Sequence, residues 1–475
     1  MFAGFGSLSE LVRGVARRRV SPTELVQASL AAIARDEPRL NAFITVLEES
    51  ALGAARRLER KGAAGGVLAG VPVAVKDLLF TRDAPTTAGS RIYNGGLITG
   101  DDAEVVARLR RAGGIVIGKT NLHEVALGVT NVNEHFGPAR NPWHVDHVSG
   151  GSSGGSAVAV AADLCPAAIG TDTRGSIRIP ASCCGITGFK PTYGLVSVVG
   201  VIPLAFSLDH VGPMARSVED VALLLGVMSG RASIQQRLLK GVKAPTRRLV
   251  VGVSEYHLRD LDASVARAVE AALRDLRPLV KELRDVRLPE LDGVQEASSV
   301  IAGSEAVAFH DRTLRSHPER YGPLVRGRME KGYQWTAVDY VNAQQKTALV
   351  RAEFAAAFRE VDLLVGAVLP ALPPPIAADH VLINGQQANT VDAFTRLNSP
   401  QNVAGLPALS VPCGMAGGFP VGLQIFGAEG ADATVLTLGA AYQRISDWHR
   451  RTPPAAAGGR AAAAQSTRRP VRRGV

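Results

Sequence analysis

The chain has 475 residues, 46% of them hydrophobic and 20% charged, which is ample for a large buried core in one or two domains. No run approaches the 18 or more apolar residues of a membrane span, and the arginines near the N-terminus follow the apolar residues, the reverse of a signal peptide. The formal charge of +10 sits mostly at one end: residues 450–475 hold seven arginines and no acid, and the other 449 residues carry +3, so neither nucleic acid nor a membrane is an expected partner.

Residues Ser7 to Arg19 carry apolar side chains at helical spacing. Ser21-Pro22-Thr23-Glu24 is a capping box with proline at the first helical position, opening an amphipathic helix. A third helix is expected from about Leu47 to Lys61. Residues 1–65 thus read as a helical segment packed on the core. Residues 66–452 read as the catalytic domain, and 453–475, rich in Ala, Gly and Arg without an apolar period, as a disordered tail.

The apolar, β-branched stretch Val67 to Phe80 predicts a strand with Lys76 at its end. A lysine there is ordinarily a snorkelling surface residue. With Val73, Ala74, Val75, Leu78, Leu79 and Phe80 around it, burial is the alternative, and desolvation then lowers its pKa toward that of a base near neutral pH. Asp101 to Arg111 predicts a helix. The following Gly113 to Thr120 matches the G-x-x-x-x-G-K-T phosphate loop, but a helix precedes it and Ile115, Val116 and Ile117 are themselves the strand, so the match is rejected. His123, His135, His144 and His147 lack metal-ligand spacing and read as loop histidines, and no metal or cofactor is expected. Four cysteines, at 165, 183, 184 and 413, read as reduced thiols of a cytoplasmic enzyme.

Two Gly/Ser turns follow, separated by one apolar segment. The first, Gly150 to Gly154, satisfies G-x-S-x-G, the nucleophile elbow of α/β-hydrolases, with Ser152 or Ser153 as nucleophile. That elbow needs a strand before it, and RNPWHVDHV is poor strand material. The second, Thr171 to Arg178, follows a short strand at Ala167 to Gly170, and its successive backbone N–H groups suit an oxyanion hole. Beyond it, strands are expected at Leu249–Val253, Val286–Leu288, Val361–Leu369, Leu409–Val411 and Val421–Phe426. A helix is expected over Asp262–Leu276, and helices again from Val294 to about Arg359.

The ordered motifs GVPVAVKD, GKTNLHE, FGPARNPW, GGSSGGSAVAVA, GTDTRGSIRIPA, GFKPTYG and SLDHVGP resemble the amidase signature family, and LNSPQNVAGLPALSVPCG and FPVGLQIFG continue the pattern. The resemblance implies an α/β fold, a single large domain whose central mixed β-sheet is flanked by helices on both faces. It implies Ser176 as nucleophile, Ser152, after a cis peptide bond, as the bridging hydroxyl, and Lys76 as base. Thr173, Arg174, Gly175 and Ser176 then form the oxyanion hole. Ser153, Asp172 and Arg178 are the supporting candidates: Asp172 and Arg178 either form an ion pair that holds the loop or each find another partner, and Ser153 and Ser156 satisfy turn backbone. The family commonly has glycine where this chain has Arg174, which either pins the loop or lines the pocket mouth.

The region from about 230 to 360 is where the family's substrate pocket varies most. Tyr321 and Tyr333, with Asn398 and Gln401, are pocket candidates, as is Arg315, although solvated helix faces compete for the aromatic and basic ones. The implied reaction is hydrolysis of an amide, anilide or carbamate C–N bond by a monomer or homodimer, with water as co-substrate. The glutamine-hydrolysing subunit of a tRNA-dependent amidotransferase ranks second, and an α/β-hydrolase-type esterase third.

Overall fold

The computed structural model describes residues 5–60 and 66–454. The basic tail from 455 onward lies outside the described residues.

The described residues form thirteen strands: β1 (Phe43–Val46), β2 (Pro72–Lys76), β3 (Ile115–Thr120), β4 (Ala167–Asp172), β5 (Thr187–Lys190), β6 (His210–Ala215), β7 (Val250–Ser254), β8 (Glu282–Val286), β9 (Leu363–Ala367), β10 (His380–Ile383), β11 (Gln386–Asn389), β12 (Ala408–Ala416) and β13 (Phe419–Gly427). Eleven of them build one sheet in the order β1-β3-β2-β4-β6-β5-β12-β13-β9-β7-β8, and β10 and β11 form a separate hairpin. The sheet is mixed. β2 runs parallel to β3 and β4, and β7 parallel to β8 and β9. The connecting pairs through β6, β5, β12 and β13 are antiparallel.

Alternation along the strands divides two cores. Val73 and Val75 join one cluster and Ala74 the other; Val116 faces away from Ile115 and Ile117 in the same manner. Both faces are thereby buried, as the near-continuous apolar runs of these strands require. The helix Gly154–Ala161 covers the Ala74 face through Ala157 to Ala161.

Local signals hold where a cap states them. In the box at Ser21, the Glu24 N–H donates to Ser21 Oγ (3.1 Å) and the Ser21 N–H to Glu24 Oε2 (2.7 Å). The N-terminal segment is not purely helical: β1 leaves it to pair antiparallel with β3 at the sheet edge. The last of the middle strands is Glu282–Val286 rather than Val286–Leu288. It is the edge strand and its residues are mostly half-exposed, so its polar sequence ELRDV carries no apolar signal. No helix among the described residues is long and apolar enough to cross a membrane.

Candidate active site

Lys76 ends β2, and Asp172 ends β4 two positions along the same parallel pair, so both leave the sheet at its carboxyl edge. Two turns meet them there. One precedes the helix Gly154–Ala161, with Ser153 as its N-cap residue and a cis bond between Gly151 and Ser152. The other runs from Thr173 to Ile177, within the turn expected over Thr171 to Arg178, into the helix Arg178–Cys184. Glycine is required where these pieces touch. A Cβ on Gly155 would lie 2.4 Å from the Ala42 carbonyl oxygen and 2.5 Å from that of Asn121. Gly175 has φ +119°, and a Cβ there would lie 2.7 Å from Asn398 Cβ.

Lys76 is fully buried. Its Nζ lies 2.7 Å from Ser152 Oγ, 2.8 Å from Thr171 Oγ1 and 3.0 Å from Ser153 Oγ. Burial lowers its pKa from 10.5 to about 7, against the opposing pull of Asp209 and Asp172. The Ser153 hydroxyl donates to the Thr171 carbonyl (3.0 Å) and accepts the Thr171 N–H (3.2 Å). Ser156 likewise donates to the Ile169 carbonyl (3.0 Å). Ser176 lines a cavity of about 300 Å³ bounded also by Thr173, Arg174, Arg328, Trp335 and Asp392.

Beneath the second turn lies one buried charge network. Asp172 accepts N–H groups from Gly175 (2.7 Å) and Ile177 (3.1 Å), and Arg178 donates to both its oxygens (3.1 and 3.0 Å). Arg178 donates further to Gln424 Oε1 (2.7 Å), Gln401 Oε1 (3.2 Å), Asn402 Oδ1 (2.5 Å) and the Asn398 carbonyl (3.1 Å). Arg178 and the other groups bonded to Asp172 outweigh the effect of burial and hold its pKa well below the usual carboxylate range. Thr173 donates to Asp209 (2.6 Å), whose carboxyl burial raises to about 6.

Four sequence expectations change. The Gly175 N–H is donated to Asp172, so it is not open to an oxyanion; the N–H groups of Thr173, Arg174 and Ser176 have no acceptor among the described residues. Asn398 and Gln401 are wholly buried in the Arg178 network rather than lining the cavity. Tyr321 is buried on His310, to which its hydroxyl is bonded (3.0 Å). Tyr333 and Arg315 stand at the surface, the Tyr333 hydroxyl donating to Asp311 (2.8 Å) and its ring under Arg315. The chain turn after the helix Pro323–Lys331 aims Trp335 at the cavity and Tyr333 away from it. Arg174 does both things considered for it: it lines the cavity and donates to Ser299 Oγ (2.6 Å).

Sequence reasoning missed Thr171, Asp209, Asn402, Gln424, Arg328 and Trp335. Asn402 and Gln424 stood inside motifs already singled out; Arg328 and Trp335 carried no signal. The loop histidines serve separate neighbours. His135 bonds Glu124 (2.9 Å), His123 is 3.2 Å from Arg328, and His144 and His147 pack on Phe419. Between β3 and Gly150 the described residues pair only as isolated bridges, Val148 with Arg140 and His147 with Pro375, so no strand feeds the G-x-S-x-G turn.

The Amidase family profile matches residues 24–436. A glutamyl-tRNA(Gln) amidotransferase subunit of Ectopseudomonas mendocina (strain ymp) is 39% identical over 485 residues, 94% of this chain and 99% of that protein. The crystal structure of an amidase superposes with a TM-score of 0.86 at 37% identity, covering 93% of this chain and 99% of the other. A bacterial aryl acylamidase of the amidase signature enzymes gives 0.85 at 26% identity over 94% and 98%.

Proposed function

The chain belongs to the amidase family and hydrolyses an amide C–N bond, and for that reaction we propose Ser176 as nucleophile, Ser152 as proton relay and Lys76 as base. The observation that carries this reading is the buried Lys76 Nζ, with its pKa near 7 and 2.7 Å from Ser152 Oγ, on a turn whose next residue, Ser153, donates its N–H to the carbonyl of cavity-lining Ser176 (3.1 Å).

A neutral amine has two N–H donors and one lone pair. The donors go to Ser153 and Thr171, and the lone pair turns to Ser152. Ser152 suits the relay better than Ser153, whose proton is already given to the Thr171 carbonyl. Lys76 takes the Ser152 proton as Ser152 takes that of Ser176. Ser176 Oγ bonds to the acyl carbon, and the carbonyl π pair moves onto oxygen, which meets the N–H groups of Thr173, Arg174 and Ser176. The proton returns through Ser152 to the nitrogen, the C–N bond breaks and the amine departs. Water then attacks the ester by the same relay, releasing the acid and restoring Ser176.

Two substrate readings remain. Similarity over nearly the full length to glutamyl-tRNA(Gln) amidotransferase subunits, at 38–39% identity, favours hydrolysis of glutamine within a complex over the free-standing amidase that the sequence ranked first. The aryl acylamidase among the structural neighbours supports the free-standing reading, with an anilide as substrate. Ammonia release from glutamine, set against hydrolysis of a 4-nitroanilide, separates them. Preference for the anilide removes the amidotransferase reading. A diazoketone analogue of glutamine that labels Ser176 supports it, even where turnover alone is slow.

A further inference from the structure

The turn that carries Ser176 rests on two carboxylates, and charge balance explains one of them. Asp172 is paired with Arg178 and accepts the N–H groups of Gly175 and Ile177. Asp209 has neutral donors at both oxygens. Its Oδ1 accepts the Thr173 hydroxyl (2.6 Å), and its Oδ2 accepts the N–H groups of Leu204 (2.9 Å) and Ala205 (3.1 Å). Placing a carboxylate among neutral groups is costly, and burial raises its pKa to about 6. The two loop N–H groups alone do not call for a charge, since an asparagine or serine side chain caps such groups at lower cost.

The position of Asp209 follows from the sheet. β4 and β6 run antiparallel, and their last pair is Asp172 with His210. Continuing that register by one residue sets Thr173 opposite Asp209, with both side chains on one face. Their bond is thus a further rung of the ladder, made by side chains where strand pairing has ended. Past that rung the chain turns through Arg174 and Gly175 to Ser176. The Thr173 N–H, one of the groups open to an oxyanion, has no acceptor of its own among the described residues. Thr173 and Leu204 line the cavity with Ser176, and Asp209 stands behind them, bordering a smaller cavity with Thr171 and Thr173. Any effect of Asp209 on the reaction therefore passes through the residues it holds.

We propose that Asp209 is a positioning residue for amide hydrolysis: through the Thr173 hydroxyl it sets the direction of the Thr173 N–H toward the oxyanion, and through the Leu204 and Ala205 N–H groups it holds the cavity wall against that turn. A hydroxyl bonded to a carboxylate is a strong and directional tether. A donor fixed in this way has nothing to reorganise when negative charge develops on the substrate oxygen. The contribution belongs to the transition state more than to substrate binding. The proposal rests on the Ser176 reading above and adds a residue to it.

The test uses Thr173→Val, which removes the hydroxyl and keeps the N–H, Asp209→Asn, which removes the charge, and the double variant. Rates are compared at about pH 9, above the Lys76 titration, because Asp209 opposes the lowering of the Lys76 pKa by burial and its loss would otherwise act twice. On whichever of glutamine and the 4-nitroanilide the wild type cleaves, each single variant should lower kcat on the order of tenfold to a hundredfold and change KM by less than about threefold. The double variant should be no slower than the slower single one, because both break one tether. Thr173→Ser, which keeps a hydroxyl, should bring kcat to within about threefold of wild type. The rate at which phenylmethanesulfonyl fluoride labels Ser176, read by mass, should fall in the same order and needs no turnover. Additive losses, or a raised KM with kcat retained, overturn the proposal. Wild-type kcat and labelling in Thr173→Val overturn it as well, and that variant loses a single hydroxyl, so it decides the matter where Asp209→Asn folds poorly. Ser176→Ala separates the two readings. If it is inactive while Thr173→Val is unimpaired, the role of Asp209 alone falls; if it still cleaves amide, the nucleophile assignment falls and this proposal with it.

Discussion

Replacing Lys76 with methionine should abolish activity and, at the same time, stabilise the protein relative to wild type by more below neutral pH than above it. The side chain is wholly buried, and burial takes its pKa from 10.5 to about 7. That gap corresponds to about 5 kcal/mol by which the fold disfavours the ammonium. Between pH 7 and pH 10.5 the unfolded chain holds one proton more than the folded chain, so stability rises with pH across this window. Below pH 7 both states are charged and the full cost is present. Methionine removes the charge and loses the contacts to Ser152, Ser153 and Thr171, but that loss does not depend on pH. The difference between the two ends of the window therefore isolates the ammonium. From about pH 6 to about pH 10 the advantage of Lys76→Met over wild type should shrink by about 4 kcal/mol, or about 4 °C in Tm for a chain this long. Tm of both proteins by fluorimetry across that range measures it. The wild-type kcat/KM should rise through an apparent pKa near 7 as the amine deprotonates, since an unshifted lysine is neutral at pH 7 only about once in three thousand molecules. A stability difference that is flat with pH, together with a rate limb near 10, would refute the neutral-amine mechanism.

The other expectations follow from the same geometry. A serine-directed acylating probe should label Ser176 and leave Ser152 free, as peptide mass mapping will show; label on Ser152 would exchange their roles. Asp172→Asn leaves Arg178 buried without its counter-charge and should cost on the order of 3–5 kcal/mol, seen as a lower Tm, with a large loss of kcat because Asp172 also receives the Gly175 and Ile177 N–H groups. Wild type should lose the same contribution as pH falls below 3.8, since Asp172 titrates lower in the folded chain than in the unfolded one. Gly175→Ala forces a Cβ against Asn398 and Ile179 in a left-handed turn and should lower kcat more than it changes KM. His123→Ala and His210→Ala should each retain acylation that Lys76→Ala lacks; a histidine variant as inactive as the lysine variant would restore the esterase reading.

What could be read in advance depended on whether the information was local. The helix from Pro22, the strand at Ile115 and the helix from Ala263 carry caps or apolar periods in a single stretch, and they formed within a few residues of expectation. The helices Val218–Ser229 and Asp432–Ile445 gave no such sign because they are buried nearly all round, which erases the polar face that marks a surface helix. The same holds for the site. Lys76, Ser152 and Ser176 stood in recognisable motifs, but Arg328 and Trp335 reach the cavity from about 150 residues away in sequence, through the packing of helices with no motif of their own.

Distance in sequence also explains why a motif alone cannot say which lysine is the base. Lys76, Lys119 and Lys190 all end or nearly end strands of the same sheet, and all are buried. Burial pushes each of them downward. Lys119 is set apart by an acid: its Nζ lies 2.7 Å from Asp77, an ion pair that holds the proton and leaves no basic lone pair to offer. Lys190 is set apart by its audience: it faces the Pro191 carbonyl and the His210 ring, neither of which leads to a cavity serine. Lys119 also meets a hydroxyl, Thr86 Oγ1 (2.7 Å), so of the three only Lys76 combines a destabilised ammonium and hydroxyl neighbours with no acid in contact; its two nearest acids act from beyond hydrogen-bond range, where they moderate the shift without capturing the proton. Moving an acid into contact should then convert a base into a structural cation. Thr171→Asp, which puts a carboxylate where Lys76 now meets a hydroxyl, should raise the rate limb well above 7 and silence the enzyme at neutral pH, with activity returning as the medium is made alkaline.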